Sequence, residues 1–111
     1  MAYTRERIYT RYPFSATGEI VEGSGAGMRS PVTNISYGGC RLLTQTQLPL
    51  GASVTLKIHT ATEQFEAAAK VVHSTPTDAG LMFGDIAAQS LFVLRRWIDA
   101  ATADKHKSGA P

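Results

Sequence analysis

Three arginines, Arg5, Arg7 and Arg11, stand in the first eleven residues against a single acid, Glu6, while the whole chain has a net charge of only +2. Everything after Arg11 therefore balances to zero, and the charge asymmetry sits in one arm. No lysine precedes Lys57, so that positive charge is all guanidinium. Guanidinium is planar, stays ionised, bonds a phosphate or a guanine edge through paired N–H groups and stacks on aromatic faces. Pro13 pushes Tyr12 away from the α region, so the arm enters the domain extended. Positions four apart in an extended chain point to the same side, about 13 Å from one another. Arg7 and Arg11 can thus converge on one multivalent anion. The arm reads as an anion or nucleotide clamp, although a basic N-terminal segment is more commonly a solvated, mobile tail.

A second stretch with the means for recognition is Asn34-Ile35-Ser36-Tyr37-Gly38-Gly39. Asn and Ser close turns with their side chains, and paired glycines let a ligand approach the backbone. Taken alone, this is also an ordinary turn between strands. Chemistry of other kinds finds little support. His59, His73 and His106 have no Cys, Asp or Glu at metal-ligand spacing, and no Ser-His-acid set is apparent. We expect no catalytic residue, no metal and no cofactor. Cys40 is the one cysteine, which excludes an internal disulfide and reads as a small buried side chain.

The elements that must position these residues are mostly strands. Phe14, Ala16, Gly18 and Ile20 alternate with polar residues, then Gly23 to Gly27 turns the chain into a strand over Met28 to Thr33, with Pro31 at an edge or strand end. Cys40 to Thr44 is a short strand. Ser53 to His59 alternates with Val54, Leu56 and Ile58 inward. Gln64 to Ser74 follows with Phe65, Ala67, Ala69 and Val71 on one side; Val72 breaks the pattern, which predicts a bulge or burial on both sides. Pro76 to Gly80 reads as a turn into Leu81-Met82-Phe83. The period then changes to 3.6: Asp85 is a candidate N-cap, and Ile86 to Ala101 forms an amphipathic helix with Leu91, Leu94 and Ile98 as its stripe, widened by Phe92 and Trp97. Short strands with regular turns predict a mainly β fold, a small antiparallel barrel with one C-terminal helix over an opening. We expect a flexible arginine-bearing arm over 1–12, the barrel and helix over 13–101, and a disordered tail over 102–111. With 43% hydrophobic and 18% charged residues the chain is globular, not disordered. No apolar run is long enough to span a bilayer, and no signal segment is present, which predicts a soluble cytoplasmic protein without membrane insertion.

Arg-x-x-x-Arg (Arg7 and Arg11) followed by Asn-x-Ser-x-x-Gly (Asn34, Ser36 and Gly39) resembles the PilZ domain. Tyr12-Pro13 directly after the second arginine, Gly38-Gly39-Cys40-Arg41-Leu42 running into a strand, and Gly80-Leu81-Met82-Phe83 before the helix are further points of resemblance, which covers roughly Arg5 to Ile98. The resemblance implies a six-stranded barrel that binds the bacterial second messenger cyclic di-GMP. In the family the two arginines grip phosphates and guanines, while the second motif contacts a guanine and its ribose-phosphate. Carried onto this chain, that implies ligand contacts from Arg7, Arg11, Asn34, Ser36 and Gly39, with Arg5, Gly38 and Arg41 as secondary contacts. Asn34 stands where many members have Asp, and so lacks a full negative charge as acceptor. Glu6 adds repulsion near a dianion, at a position that influences in the family whether one ligand or a stacked pair is held.

The implied role is a receptor and adaptor that signals to an unknown protein partner in motility or exopolysaccharide control. Two rivals stand beside it. A small nucleic-acid-binding barrel also uses a basic arm, but no exposed aromatic pair for stacking bases is evident, and lysines are few. A PilZ-like protein-interaction adaptor without nucleotide binding is the other, against which both motifs are retained.

Overall fold

A computed structural model describes residues 10–23, 25 and 27–109, with 103–109 described by backbone alone. The strands are β1 (Tyr12–Val21), β2 (Met28–Arg29), β3 (Val32–Ile35), β4 (Gly39–Leu43), β5 (Ser53–His59), β6 (Gln64–Ser74) and β7 (Asp78–Ile86), and the helix is α1 (Ala88–Gly109). Their order in the sheet is β2-β1-β3-β4-β7-β6-β5, and β1 also pairs with β5, from Thr17↔His59 to Val21↔Thr55. That last pairing closes β1, β3, β4, β7, β6 and β5 into an antiparallel barrel, as the sequence predicts. Closure pairs both edges of those six strands, which would otherwise be open to another chain. β2 adds a short rung against Glu19 and Ile20. Ser30 and Pro31 separate it from β3, because proline has no N–H to continue the ladder.

Alternation along the strands builds the core. Val54, Leu56 and Ile58 of β5 and Phe65, Ala67, Ala69 and Val71 of β6 are all buried, against Ile20, Val32, Ile35, Leu42 and Leu81 from the other strands. Each large side chain so buried contributes about 1.5–3 kcal/mol. Gly18 faces inward where β1 passes closest to its neighbours: a Cβ there would collide with the Ser30 carbonyl and lie 2.9 Å from a Leu42 methyl. The strand can cross at that point only without a side chain.

The helix closes one end of the barrel by packing on β1 and β6. Leu94, Trp97 and Ile98 are buried, and the Trp97 ring lies 5.0 Å from Phe14 and 6.1 Å from Phe65. Glu63, just before β6, holds the helix from outside: its carboxylate accepts the Trp97 indole N–H at 2.9 Å and pairs with the Arg96 Nε at 3.1 Å. No described helix is long and apolar enough to cross a membrane.

Several expected boundaries move. Asp85 is no N-cap: β7 runs on to Ile86, which pairs with Ala67, and the helix starts at Ala88, with the Ala87 carbonyl accepting the Leu91 N–H at 2.9 Å. The turn expected over Pro76 to Gly80 is shorter, because Thr75 and Asp78 close it and pairing resumes at Ser74↔Ala79. Phe92 is 62% exposed and Leu91 is also outside the stripe. Phe92 stands two residues from Leu94, and residues two apart on a helix do not share a face. Tyr12, expected in the arm, is instead the first residue of β1, opposite Ile35. The tail expected to be disordered from 102 is helical in its backbone to Gly109. Ala103, Lys105 and Lys107 are good helix formers, and no Pro or Gly interrupts that stretch before Gly109. Residues 1–9 of the expected arm, with Arg5 and Arg7, lie outside the described residues.

Candidate functional site

The start of β1 and the β3–β4 hairpin lie side by side. Tyr12 pairs with Ile35 and Pro13 with Asn34, so exposed Arg11, one residue before the ladder begins, stands next to the hairpin. Its charge is felt at Cys40, opposite Ile35 on β4. Burial pushes the Cys40 thiol far up and Arg11 opposes that shift, leaving a protonated, inert sulfur.

Ser36 organises the hairpin from within. It is buried, its N–H donates to the Gly39 carbonyl at 2.8 Å, and its hydroxyl donates to the same carbonyl at 3.1 Å. The hydroxyl oxygen also accepts the N–H groups of Gly38 at 3.2 Å and Gly39 at 3.1 Å. All of its bonds stay inside the turn. The Gly38 carbonyl accepts the Phe83 N–H at 2.9 Å, which ties the hairpin to β7. Gly39 is demanded by packing, since a Cβ would collide with the Leu81 carbonyl oxygen. Its openness to a ligand, expected from sequence, therefore comes second to the close approach of β4 and β7.

Asn34 and Arg41 are partners across β3 and β4. Their neighbours Ile35 and Cys40 point into the core, so these two side chains face outward. The row continues through Gly80 on β7 to His73 on β6. Asn34 Oδ1 and Arg41 Nε are buried and have no hydrogen-bond partner among the described residues. Such atoms cost about 1–3 kcal/mol each when left unmade. The Arg41 Nη1 lies 3.7 Å from Asp78 Oδ2, and His73 Nε2 lies 3.7 Å from Asp78 Oδ1. Asp78 is held in turn by Thr75, whose hydroxyl donates to its carboxylate at 2.6 Å.

Of the residues singled out from sequence, Arg11, Asn34, Ser36, Gly38, Gly39 and Arg41 thus gather on and around one hairpin. Arg5 and Arg7 lie outside the described residues. Sequence reasoning passed over Asp78 and gave His73 no role at the site. The available signal was Val72, where the alternation fails. The register slips between Val71 and His73, and that bulge turns His73 outward beside Gly80.

Two other features do not join this group. An open cleft where β1 leaves β5 is lined by Ser15, Ala16, Thr17, His59, Thr60 and Ala61, with no guanidinium among them. Among the described residues no cluster of His, Cys, Asp or Glu could hold a metal ion.

Comparison with known proteins agrees with this architecture. The family model of the PilZ domain matches residues 5–100. No curated protein sequence matches the chain. Among solved structures, the chain is similar to the PilZ domain with c-di-GMP of YcgR from Escherichia coli, at 14% identity and a TM-score of 0.72, covering 90% of this chain and 94% of that one. It is also similar to the Bacillus subtilis inhibitor of motility MotI, at 20% identity and a TM-score of 0.73, covering 92% of this chain and 52% of that one. The PilZ domain of CeSA from a cellulose-synthesizing bacterium aligns at 15% identity with a TM-score of 0.65, over 87% of this chain and 99% of that one. At these identities the likeness is one of fold.

Proposed function

This chain belongs to the PilZ domain family, and we propose that it is a receptor for cyclic di-GMP that passes the signal to a protein partner. The observation that carries the reading is the pair of orphaned polar atoms, Asn34 Oδ1 and Arg41 Nε, neighbours on the outer face of β3 and β4. An acceptor and a charged donor side by side match a guanine edge, which offers both N–H donors and the O6 and N7 acceptors. Arg11 stands at the same hairpin and supplies a guanidinium for the phosphates of a dianion, with Arg7 and Arg5 upstream as further donors. Ser36 and Gly39 act in this reading through the hairpin's shape, since the serine hydroxyl is committed inside the turn.

Binding that gathers an arginine arm onto the hairpin gives a partner a surface that is absent without ligand. The chemistry is recognition alone, with no bond made or broken.

Calorimetric titration tests the receptor role. We expect saturable heat with cyclic di-GMP and none with GMP or single-stranded DNA at the same concentrations. Equal binding of single-stranded DNA would turn the reading to a nucleic-acid barrel. Silence with all three would leave the chain as an adaptor that takes no nucleotide.

A further inference from the structure

Resting on the receptor reading above, we propose that Asp78 is a built-in competitor for the ligand: its carboxylate holds Arg41 until an anionic or guanine edge displaces it. The geometry on the outer face is that of a weak, exchangeable partner. The contact from Arg41 Nη1 to Asp78 Oδ2 is 3.7 Å, an ion pair too long to be a hydrogen bond. The contact runs through Nη1, and Nε is buried with no hydrogen-bond partner among the described residues. A planar guanidinium so held has an unfilled fork, and a phosphate or purine edge fills two donors at once.

Asp78 does not follow Arg41 when it leaves. Its carboxylate accepts the Thr75 hydroxyl at 2.6 Å, and its own N–H donates back to that hydroxyl at 3.0 Å, so the turn fixes it. His73, 3.7 Å away on the other carboxylate oxygen, remains beside the charge. Arg41 can therefore exchange partners while the β6–β7 turn stays as it is. The pair is partly exposed, at 35% and 22% for the two side chains, so the carboxylate lowers ligand affinity by a modest factor. Such a factor sets the messenger concentration at which the site fills.

Calorimetry with cyclic di-GMP on four variants decides it. Asp78→Asn removes the charge and keeps the acceptor for Thr75; we expect binding to tighten by about two- to fivefold, the size of a partly exposed ion pair. Arg41→Ala should weaken binding, and adding Asp78→Asn to it should restore less than half of the gain on a logarithmic scale. Thr75→Ala loosens the same turn without altering charge and should not tighten binding. Unchanged or weaker binding by Asp78→Asn, an equal gain with and without Arg41, or tightening by Thr75→Ala each overturns the proposal while the wild-type chain binds. A wild-type chain silent towards cyclic di-GMP overturns the receptor reading and this one with it.

Discussion

The helix-closed end of the barrel and the outer face of β3 and β4 treat polar groups in opposite ways. Under the helix, Glu63 uses both carboxylate oxygens, one on the Trp97 indole and one on Arg96, while Phe14, Phe65 and Trp97 fill the space beneath. Around the hairpin the bonding is incomplete. All three buried side-chain atoms without partners among the described residues, Asn34 Oδ1, Arg41 Nε and Thr44 Oγ1, fall between positions 34 and 44. A region that serves stability satisfies its polar atoms, because an unmade bond costs more than a made one contributes. A region that waits for a ligand, as proposed for this face, leaves some of them open. The two tasks then sit at different places on one barrel.

That contrast breaks most sharply at Trp97. Trp97→Ala removes the largest side chain under the helix and leaves the Glu63 carboxylate without its indole donor. We expect a loss of about 3–5 kcal/mol in stability, measured by urea denaturation. The fraction still folded should bind cyclic di-GMP normally. Impaired binding in that fraction would mean that the two regions are coupled.

Arg11→Ala reverses the pattern. Arg11 is exposed and lies outside the ladder, and its charge is felt at Cys40. Melting temperature should hold, while cyclic di-GMP binding weakens by about 2–5 kcal/mol, the usual cost of truncating one partner of a desolvated charged contact. Unchanged affinity, with the fold intact by circular dichroism, would remove Arg11 from the site.

The finest test lies within the hairpin, where two motif residues should part company. Ser36→Ala strips the Gly38 and Gly39 N–H groups of an acceptor, so stability should fall by about 1–3 kcal/mol. Asn34→Ala deletes an acceptor that no donor among the described residues uses. Stability should stay level or rise slightly, and ligand binding should weaken by about 1–3 kcal/mol. Thermal melts with and without ligand would show the crossing. Identical behaviour of the two variants would erase the distinction between positioning and contact.

The division explains why some of the site was legible in the sequence and some was not. Residue types at fixed spacing marked Arg11, Asn34, Ser36 and Gly39, since the motifs they resemble are written in short stretches of sequence wherever the fold puts them. Their separate roles were hidden. That Gly39 is required by the Leu81 carbonyl, and that the Ser36 hydroxyl is consumed inside its own turn, depends on which strand passes β4 and at what distance. Asp78 was missed because Arg41 lies far away in the chain on β4, and only the β4–β7 register brings it to Asp78 at the start of β7.

The strands themselves were determined locally. Ser53 to His59 and Gln64 to Ser74 appear with the bounds their alternation predicts, because a half-buried strand must place apolar residues at every second position. Local pattern also marked Val72 as an irregularity, but it could not say which way the chain would turn after it. A one-residue bulge exchanges inside for outside for every residue beyond it. The tertiary pairing of β6 with β7 makes that choice and puts His73 on the same outer row as Gly80, Arg41 and Asn34. The helix shows the same limit. Its apolar residues were plain in the sequence, yet Phe14 and Phe65 decided that Trp97 would be buried and Phe92 left in solvent. Side-chain periodicity is a property of a few neighbouring residues. Register and facing depend on contacts between segments far apart in the chain, and those exist only once the barrel has closed.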